Sequence, residues 1–160
     1  QGIEFIEPTD LSGAIRGRHN IYTHLEMLVK NAQKSVTLVT TSKGLIRKVE
    51  ALKPEFERLK KKGVKIRIAA PVTKESMSSI KEISKFAEVK HANKFDARFC
   101  IVDGADMMFM LLNDDDVHPT YDVGVWVTTP YFASAMEEMF NQHWKNFDDA
   151  SKVMPVNNGK

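Results

Sequence analysis

The sequence has few of the features that mark secreted, membrane-spanning or nucleotide-binding proteins. Its 160 residues include one cysteine, Cys100, which has no partner for an internal disulfide and so favours a reducing, cytoplasmic compartment. No run approaches the roughly 20 apolar residues that a membrane-spanning helix needs, and no basic-then-apolar leader opens the chain. Neither GxGxxG nor a P-loop is present, so we expect no cofactor. Because Cys100 lies in an apolar run, a small buried side chain is favoured over a reactive thiol.

An excess of charge of one sign is also missing. The net charge of +2 is too small to indicate nucleic-acid binding by itself. Hydrophobic residues make up 42% of the chain and charged residues 28%, which is ordinary for one globular domain with a sizeable core. The chain begins with Gln1 rather than methionine, and we interpret it as a piece of a longer protein.

Helical and strand-like patterns alternate in the first half of the chain, whereas strand-like runs follow one another in the second half. A strand near residues 3–6 opens the predicted order, β-α-β-α-β-α-β-β-β-β-α. Pro54 divides the second predicted helix into two pieces, because proline suits a first helical turn. The order predicts an α/β/α sandwich with a mixed, partly antiparallel sheet over residues 1–150, followed by a flexible tail over 151–160.

The last predicted helix begins near Pro130 and has a broad apolar face, which suits core packing or a dimer seam. That face comprises Phe132, Ala135, Met136, Met139, Phe140, Trp144 and Phe147.

Residues 91–127 organise the second half of the chain, with strand-like runs at 97–102, 107–112 and 123–127. Asp103-Gly104 separates the first two runs and predicts a two-residue hairpin turn. With that turn, one mostly apolar face carries an acid, a guanidinium and an amide at one end: Asp96, Arg98, Cys100, Val102, Ala105, Met107, Phe109, Leu111 and Asn113. Buried neighbouring charges are costly unless paired, which indicates either a structural ion pair or the remains of a functional site.

Three further groups of polar residues are candidates for binding. Thr41 and Ser42 follow a predicted parallel strand, where open α/β sheets bind ligands, and their hydroxyls can contact a sugar or an anion or cap the next helix. Tyr121, beside Asp122, can stack on a sugar ring. Residues 113–116 (NDDD) suggest a metal, but consecutive acids on a loop usually point in different directions. A solvated loop is therefore favoured there, and no metal site is predicted.

The spacing Asp96-x-Arg98-x-x-x-x-Asp103-Gly104, with Asn113 and Asp122 beyond it, resembles the phospholipase D signature HxKxxxxDG and its later asparagine and acid. The resemblance implies the fold of one phospholipase D half-unit. In active members the histidine attacks phosphorus, while the lysine and asparagine hold phosphate oxygens. Here Asp96 stands at the histidine position and Arg98 at the lysine position. An aspartate is poorly suited to protonate a leaving group near neutral pH, so we expect no catalytic residues.

Longer phrases resemble one branch of that superfamily. DARFCIVDGADMMFML, DDDVHPTYDVGVWV, PYFASAMEEMFNQHW and IRGRHNIYTHLEMLVKNAQKSVTLVTT are similar to the C-terminal effector domain of archaeal TrmB-like transcriptional regulators. In that family a winged-helix DNA-binding domain and a coiled-coil linker precede a phospholipase D-like domain. The latter senses small molecules, sugars in the best-known members, and helps the protein to dimerise.

The resemblance implies a ligand-sensing homodimer domain whose DNA contacts lie in an upstream winged helix absent from this chain. We expect the ligand to be a sugar or an anion. The resemblance places Asp96, Arg98, Asn113 and Asp122 at its site, and the positions of Thr41, Ser42 and Tyr121 add these three as further binding residues. The additional C-terminal sugar-binding module of longer members is missing, so sugar specificity does not carry over. The alternative is a divergent phospholipase D-superfamily phosphodiesterase or nuclease. An isolated DNA-binding protein is a third hypothesis, with strongly salt-dependent binding as its signature.

Overall fold

A mixed sheet of seven strands organises the computed structural model, which describes residues 5–92 and 94–154. Its strands are β1 (Ser12–Arg16), β2 (Ser35–Val39), β3 (Lys65–Ala70), β4 (Glu88–His91), β5 (Phe99–Val102), β6 (Asp106–Met110) and β7 (Val123–Thr128). The helices are α1 (Pro8–Leu11), α2 (Arg18–Lys30), α3 (Ser42–Lys61), α4 (Met77–Ile83), α5 (Pro130–Trp144) and α6 (Ala150–Val153), with a 3-10 turn at Pro119–Tyr121. No helix in this part of the chain is long and apolar enough to cross a membrane.

The sheet runs in the order β1-β7-β6-β5-β2-β3-β4. β2, β3 and β4 are parallel, because helices connect them, whereas β2 pairs with β5 antiparallel and β5, β6, β7 and β1 continue antiparallel. The predicted alternation of seven strands with four helices, which are α2, α3, α4 and α5, is confirmed, as is the mixed α/β architecture. The predicted first strand is wrong in position: β1 begins at Ser12, and residues 3–4 lie outside the described part.

Helices cover both faces of the sheet, so the chain has two apolar layers. The larger layer packs α2, α3 and α4 against one face and includes Leu25, Leu52 and Phe56. The other layer packs α5 against the opposite face through Phe140 and Trp144. Burying both faces explains why the central strands read as continuous apolar runs.

Two predictions about helices are wrong. α3 is continuous from Ser42 to Lys61 with Pro54 inside it, because its apolar face is buried along the whole length. α5 buries a narrower face than predicted, since Phe132 and Met139 are 37% and 63% exposed. In the predicted tail, residues 151–153 belong to α6 and 155–160 lie outside the described part.

The hairpin between β5 and β6 has one residue more in its loop than predicted. Val102 pairs with Asp106, which leaves Asp103, Gly104 and Ala105 as a three-residue loop. Asp103 and Gly104 have φ angles of 58° and 63°, a region that Asp and Gly tolerate. The Asp103 carboxylate also accepts hydrogen bonds from the backbone N–H groups of residues 33, 34 and 35 at 2.7–3.1 Å, so it ties the hairpin to the start of β2.

Candidate functional site

The hairpin register decides which side chains meet beside Arg98. Cys100 pairs with Met108, whereas the predicted two-residue turn would pair it with Met107. Met107 and Phe109, which were predicted to share a face with Arg98, therefore face the opposite layer. Cys100 is fully buried among apolar side chains, and burial raises the pKa of its thiol to about 12. The prediction of a small buried side chain at this position is therefore confirmed.

Asp122, just before β7, holds two arginines. Arg98 donates from Nη1 and Nη2 to the two carboxylate oxygens of Asp122 at 3.2 and 2.9 Å, and Arg18 Nε donates to Oδ2 at 3.1 Å. The Asp122 side chain is fully buried. Burial opposes its ionisation, but the hydrogen bonds and charges of Arg98 and then Arg18 outweigh it and hold the pKa of Asp122 below its usual value.

A second buried carboxylate lies in the loop after β6. Asp114 Oδ2 accepts hydrogen bonds from Thr41 Oγ1 at 2.7 Å and from Arg47 Nη2 at 2.6 Å. Burial again opposes ionisation, while these bonds hold the pKa of Asp114 below its usual value. The predicted solvated loop is wrong at this residue, although Asp115 and Asp116 are exposed. Asp114 is buried because Arg47 and Thr41, both on or beside α3, supply its partners.

Lys48, on the buried face of α3, completes the group. Its Nζ donates to Thr40 Oγ1 at 3.1 Å and lies 5.3 Å from the centre of the Tyr22 ring. Within the described residues, no carboxylate forms an ion pair with this fully buried ammonium. Burial first, and then the positive charges of Arg98 and Arg47, lower the pKa of Lys48 to about 7.

A cavity of about 190 Å³ opens next to these buried charges. Four of the predicted binding residues line it, and they come from three separate parts of the chain: Thr41, Asp96, Arg98 and Asn113. Met110, Leu111 and Leu112 supply an apolar wall. Asp96 is exposed, and Arg98 pairs with Asp122 rather than with Asp96. The cavity therefore offers a carboxylate and a guanidinium, together with neutral polar groups, beside an apolar surface.

The other predicted binding residues lie apart from the cavity lining. Asp122 is behind it, joined to it through Arg98. The Ser42 hydroxyl hydrogen-bonds with Thr73 Oγ1 at 2.7 Å, and the Tyr121 ring is exposed beneath the Arg16 guanidinium.

A sequence model described as "Transcriptional regulator TrmB, EBD N-terminal subdomain" matches residues 13–150. The chain belongs to this TrmB family. No curated protein sequence gives a match.

Solved structures share the fold of this TrmB domain. TrmBL2, an archaeal chromatin protein, superposes with a TM-score of 0.68 at 20% identity over 92% of this chain and 56% of its own. The phospholipase D family member Nuc from Salmonella typhimurium gives 0.65 at 15% identity, over 86% of this chain and 97% of its own. NucT from Helicobacter pylori gives 0.67 at 14% identity, over 86% and 98%. The TrmB domain therefore spans about half the length of TrmBL2, and the phospholipase D-like fold is confirmed.

Sequence reasoning missed four members of the charged group in this TrmB domain: Arg18, Arg47, Lys48 and Asp114. A signal existed for Lys48, because it lies between Leu45 and Val49 on the apolar face of α3. No local pattern marks Arg47 or Asp114, because they pair with each other and lie 67 residues apart in the sequence.

Proposed function

We propose that this chain is the effector-binding part of a transcription regulator. A small molecule, a sugar or an anion, binds in the cavity, the domain forms a homodimer in the cytoplasm, and a winged helix elsewhere in the longer protein contacts DNA. The single observation that carries the proposal is the cavity lined by Thr41, Asp96, Arg98 and Asn113. A pocket with a few convergent polar groups and an apolar wall is the usual form of a small-molecule site.

A non-catalytic role is part of the proposal. The described residues that line the cavity include no imidazole and no thiol, and Arg98 Nη1 and Nη2 donate to Asp122. Asp96 can act as a nucleophile, but cleavage of a phosphodiester also needs a group that protonates the leaving oxygen. The lining supplies binding groups without that second catalytic group.

A thermal-shift screen of sugars and phosphorylated metabolites tests effector binding. We expect at least one compound to raise the melting temperature of the wild type, and we expect Asn113→Ala to abolish this rise. Asn141→Ala, an exposed change on α5 outside the cavity lining, is the control and should respond like the wild type. If no compound acts, or if Asn113→Ala responds fully, the cavity is not an effector site.

A divergent phosphodiesterase or nuclease is the second candidate, favoured by the exposed Asp96 on a fold that Nuc shares. Incubation with bis-p-nitrophenyl phosphate and with DNA distinguishes the two hypotheses. We expect no turnover by the wild type. Turnover that is lost in Asp96→Asn would overturn the non-catalytic proposal.

Dimerisation is assigned in this proposal to the outer face of α5. Tyr131 and Met139 are 89% and 63% exposed, and Ala135 lies between them, so the three follow one another at intervals of four residues. At a rise of about 1.5 Å per residue this stripe is about 12 Å long. The small Ala135 at its middle would let a second copy of the helix cross closely about a two-fold axis.

A further inference from the structure

The buried charges beside the cavity do not balance. Four basic side chains lie there: Arg18, Arg47, Lys48 and Arg98. Arg18 and Arg98 pair with Asp122 and Arg47 pairs with Asp114, whereas Lys48 forms no ion pair within the described residues. The side chains of Arg98, Lys48 and both aspartates are between 0 and 3% exposed. Buried charge is costly unless it has a partner of opposite sign. The group therefore has a surplus of positive charge that its own residues do not neutralise.

The surplus is accompanied by unused hydrogen-bonding capacity. Within the described residues, Arg98 Nε and Arg18 Nη2 are buried without an acceptor, and Asp114 Oδ1 is buried without a donor. The ammonium of Lys48 can donate three hydrogen bonds, and the acceptor that the described residues offer it is the neutral hydroxyl of Thr40. Of Arg18, Lys48 and Arg98, Arg98 lines the cavity, so an anion bound there would place negative charge beside this group and offer Arg98 a further acceptor.

Two residues of the cavity lining place positive charge or a helix N-terminus next to the cavity. Arg98, only 5% exposed, forms part of the wall, and Thr41 precedes the first turn of α3. Because α3 has 20 residues and begins at this point, the positive end of its dipole adds to the field on the same side. An ordinary helix N-terminus has no buried, partly unpartnered arginine beside it, whereas this one has Arg98.

We propose, on the basis of the effector function argued above, that the ligand of this cavity carries an anionic group, either a phosphate or a carboxylate. The anionic group lies against Arg98 and Thr41, where the surplus positive charge attracts it. Asp96 and Asn113, at the exposed side of the cavity, accept and donate hydrogen bonds to hydroxyl groups on the remainder of the molecule. A phosphorylated or carboxylated sugar meets both requirements, whereas a neutral sugar meets only the second.

Binding of an anion in the cavity is coupled to protonation of the Lys48 amine. The groups that face it are Tyr22 from α2, Thr40 after β2, Arg47 from α3, Arg98 and Cys100 from the β5 segment, and Asp114 from the loop after β6. With its pKa near 7, Lys48 is largely neutral at mildly alkaline pH. A nearby anion favours the charged ammonium, so anion binding takes up a proton there.

Titration calorimetry with gluconate, glucose 6-phosphate and glucose tests the ligand class at about 0.15 M salt, where exposed charges are well screened. We expect both anions to bind at least about tenfold more tightly than glucose. Lys48→Met, which replaces the buried ammonium by an apolar chain of similar length, should weaken gluconate binding about tenfold. Lys43→Met is the matched control: it removes an exposed lysine from the first turn of the same helix and should change affinity by less than about twofold.

Proton uptake gives a second readout that does not depend on a variant. Gluconate does not titrate near neutral pH, so heats measured at about pH 8 in buffers of different ionisation enthalpy report protons taken up by the protein. We expect a fraction of one proton per gluconate bound in the wild type and none in Lys48→Met. Binding without proton uptake in the wild type would overturn the placement of the anion against Arg98 and Thr41, where its charge would act on Lys48.

The outcomes separate this inference from the effector function. Glucose binding as tight as gluconate binding, lost in Asn113→Ala, would overturn the anionic class and leave the effector site in place. Anion binding that leaves DNA binding by the longer regulator unchanged would uphold the anion site and overturn its role as an effector. No binding by any of the three compounds would overturn the inference outright.

Discussion

At the scale of single residues, Asp122 is the carboxylate on which the most buried charge depends. It accepts from Arg98 and Arg18, and its Oδ1 also accepts from the N–H of Val123 at 3.1 Å. Its backbone carbonyl accepts from Gly17 N–H at 2.8 Å. One residue thus joins the start of α2, the segment before β5 and the start of β7.

Asp122→Asn should destabilise the domain strongly. The amide keeps the shape of the side chain but leaves Arg98 and Arg18 without their carboxylate, and breaking a buried ion pair costs about 3–5 kcal/mol. Urea unfolding measures the loss. Asp116→Asn, an exposed change in the loop after β6, is the control and should stay within about 0.5 kcal/mol of the wild type. A loss below about 1 kcal/mol in Asp122→Asn would contradict the ion-pair account.

Acid should weaken the folded state through the same carboxylates. The pKa values of Asp114 and Asp122 are lower in the folded domain than in an unfolded chain. Their stabilisation is therefore complete above the unfolded value of about 3.9 and is lost as the pH falls through the lower folded pKa values. We expect the free energy of unfolding to fall below about pH 4, and to fall less steeply in Asp122→Asn. Equal slopes in the two proteins would exclude Asp122 as a source.

At the scale of elements, α3 shows how packing overrides a local preference. Proline lacks an N–H group, and its ring clashes with the carbonyl four residues earlier, so Pro54 ought to break the helix. The helix nevertheless continues, because Leu52, Phe56 and Leu59 are buried on both sides of the proline. Burial stabilises the fold by at least about 1.5 kcal/mol for each of these three side chains, and the sum exceeds the roughly 3 kcal/mol that a proline costs inside a helix.

Pro54→Ala should stabilise the domain by about 1–2 kcal/mol. Alanine restores the missing N–H group and removes the clash, and this gain exceeds the roughly 0.4–1 kcal/mol by which proline restricts the unfolded chain. Pro54 is exposed, so no packing is lost. Urea unfolding gives the difference, and Glu50→Ala, also exposed on α3, serves as the control. An unchanged or lower stability would mean that α3 has adapted its shape to the proline.

At the scale of the whole molecule, the two faces of the sheet are covered unequally. α2, α3 and α4 shield one face, while α5 alone packs over part of the other and keeps large apolar side chains in solvent. Exposed aromatic and methionine side chains on one helix are typical of a surface that meets another protein.

Met139→Glu should convert a dimer into a monomer. A carboxylate in the middle of a self-complementary apolar seam meets its own symmetry copy, so the penalty counts twice. Light scattering after size-exclusion chromatography, over a range of protein concentrations, measures the mass. Thr23→Glu adds the same charge on α2, on the other side of the sheet, and should leave the mass unchanged. A wild type that is monomeric throughout, or a dimeric Met139→Glu, would rule out this seam.

Local patterns in the sequence were enough to predict the order of strands and helices and the mixed sheet. Both follow from periodicity within a few neighbouring residues, because parallel strands need helical crossovers and hairpins need only a turn. The phospholipase D-like fold was predicted from the resemblance of the motif around Asp96 and Asp103 to the signature of that superfamily. Four of the residues predicted to bind a ligand, among them Asp96 and Arg98, line one cavity, and their binding of a ligand stays a prediction.

Only the tertiary structure decided the hairpin register and the membership of the charged group. Asp103 adopts its loop conformation while its carboxylate accepts from N–H groups about 70 residues earlier in the chain, and this extra loop residue sets which side chains face Arg98. Asp114 and Lys48 are buried for a similar reason, since Arg47, Thr41 and Thr40 surround them only once α3 has packed on the sheet. Whether a charge is exposed or buried depends on partners distant in the sequence, and short-range patterns carry no information about them.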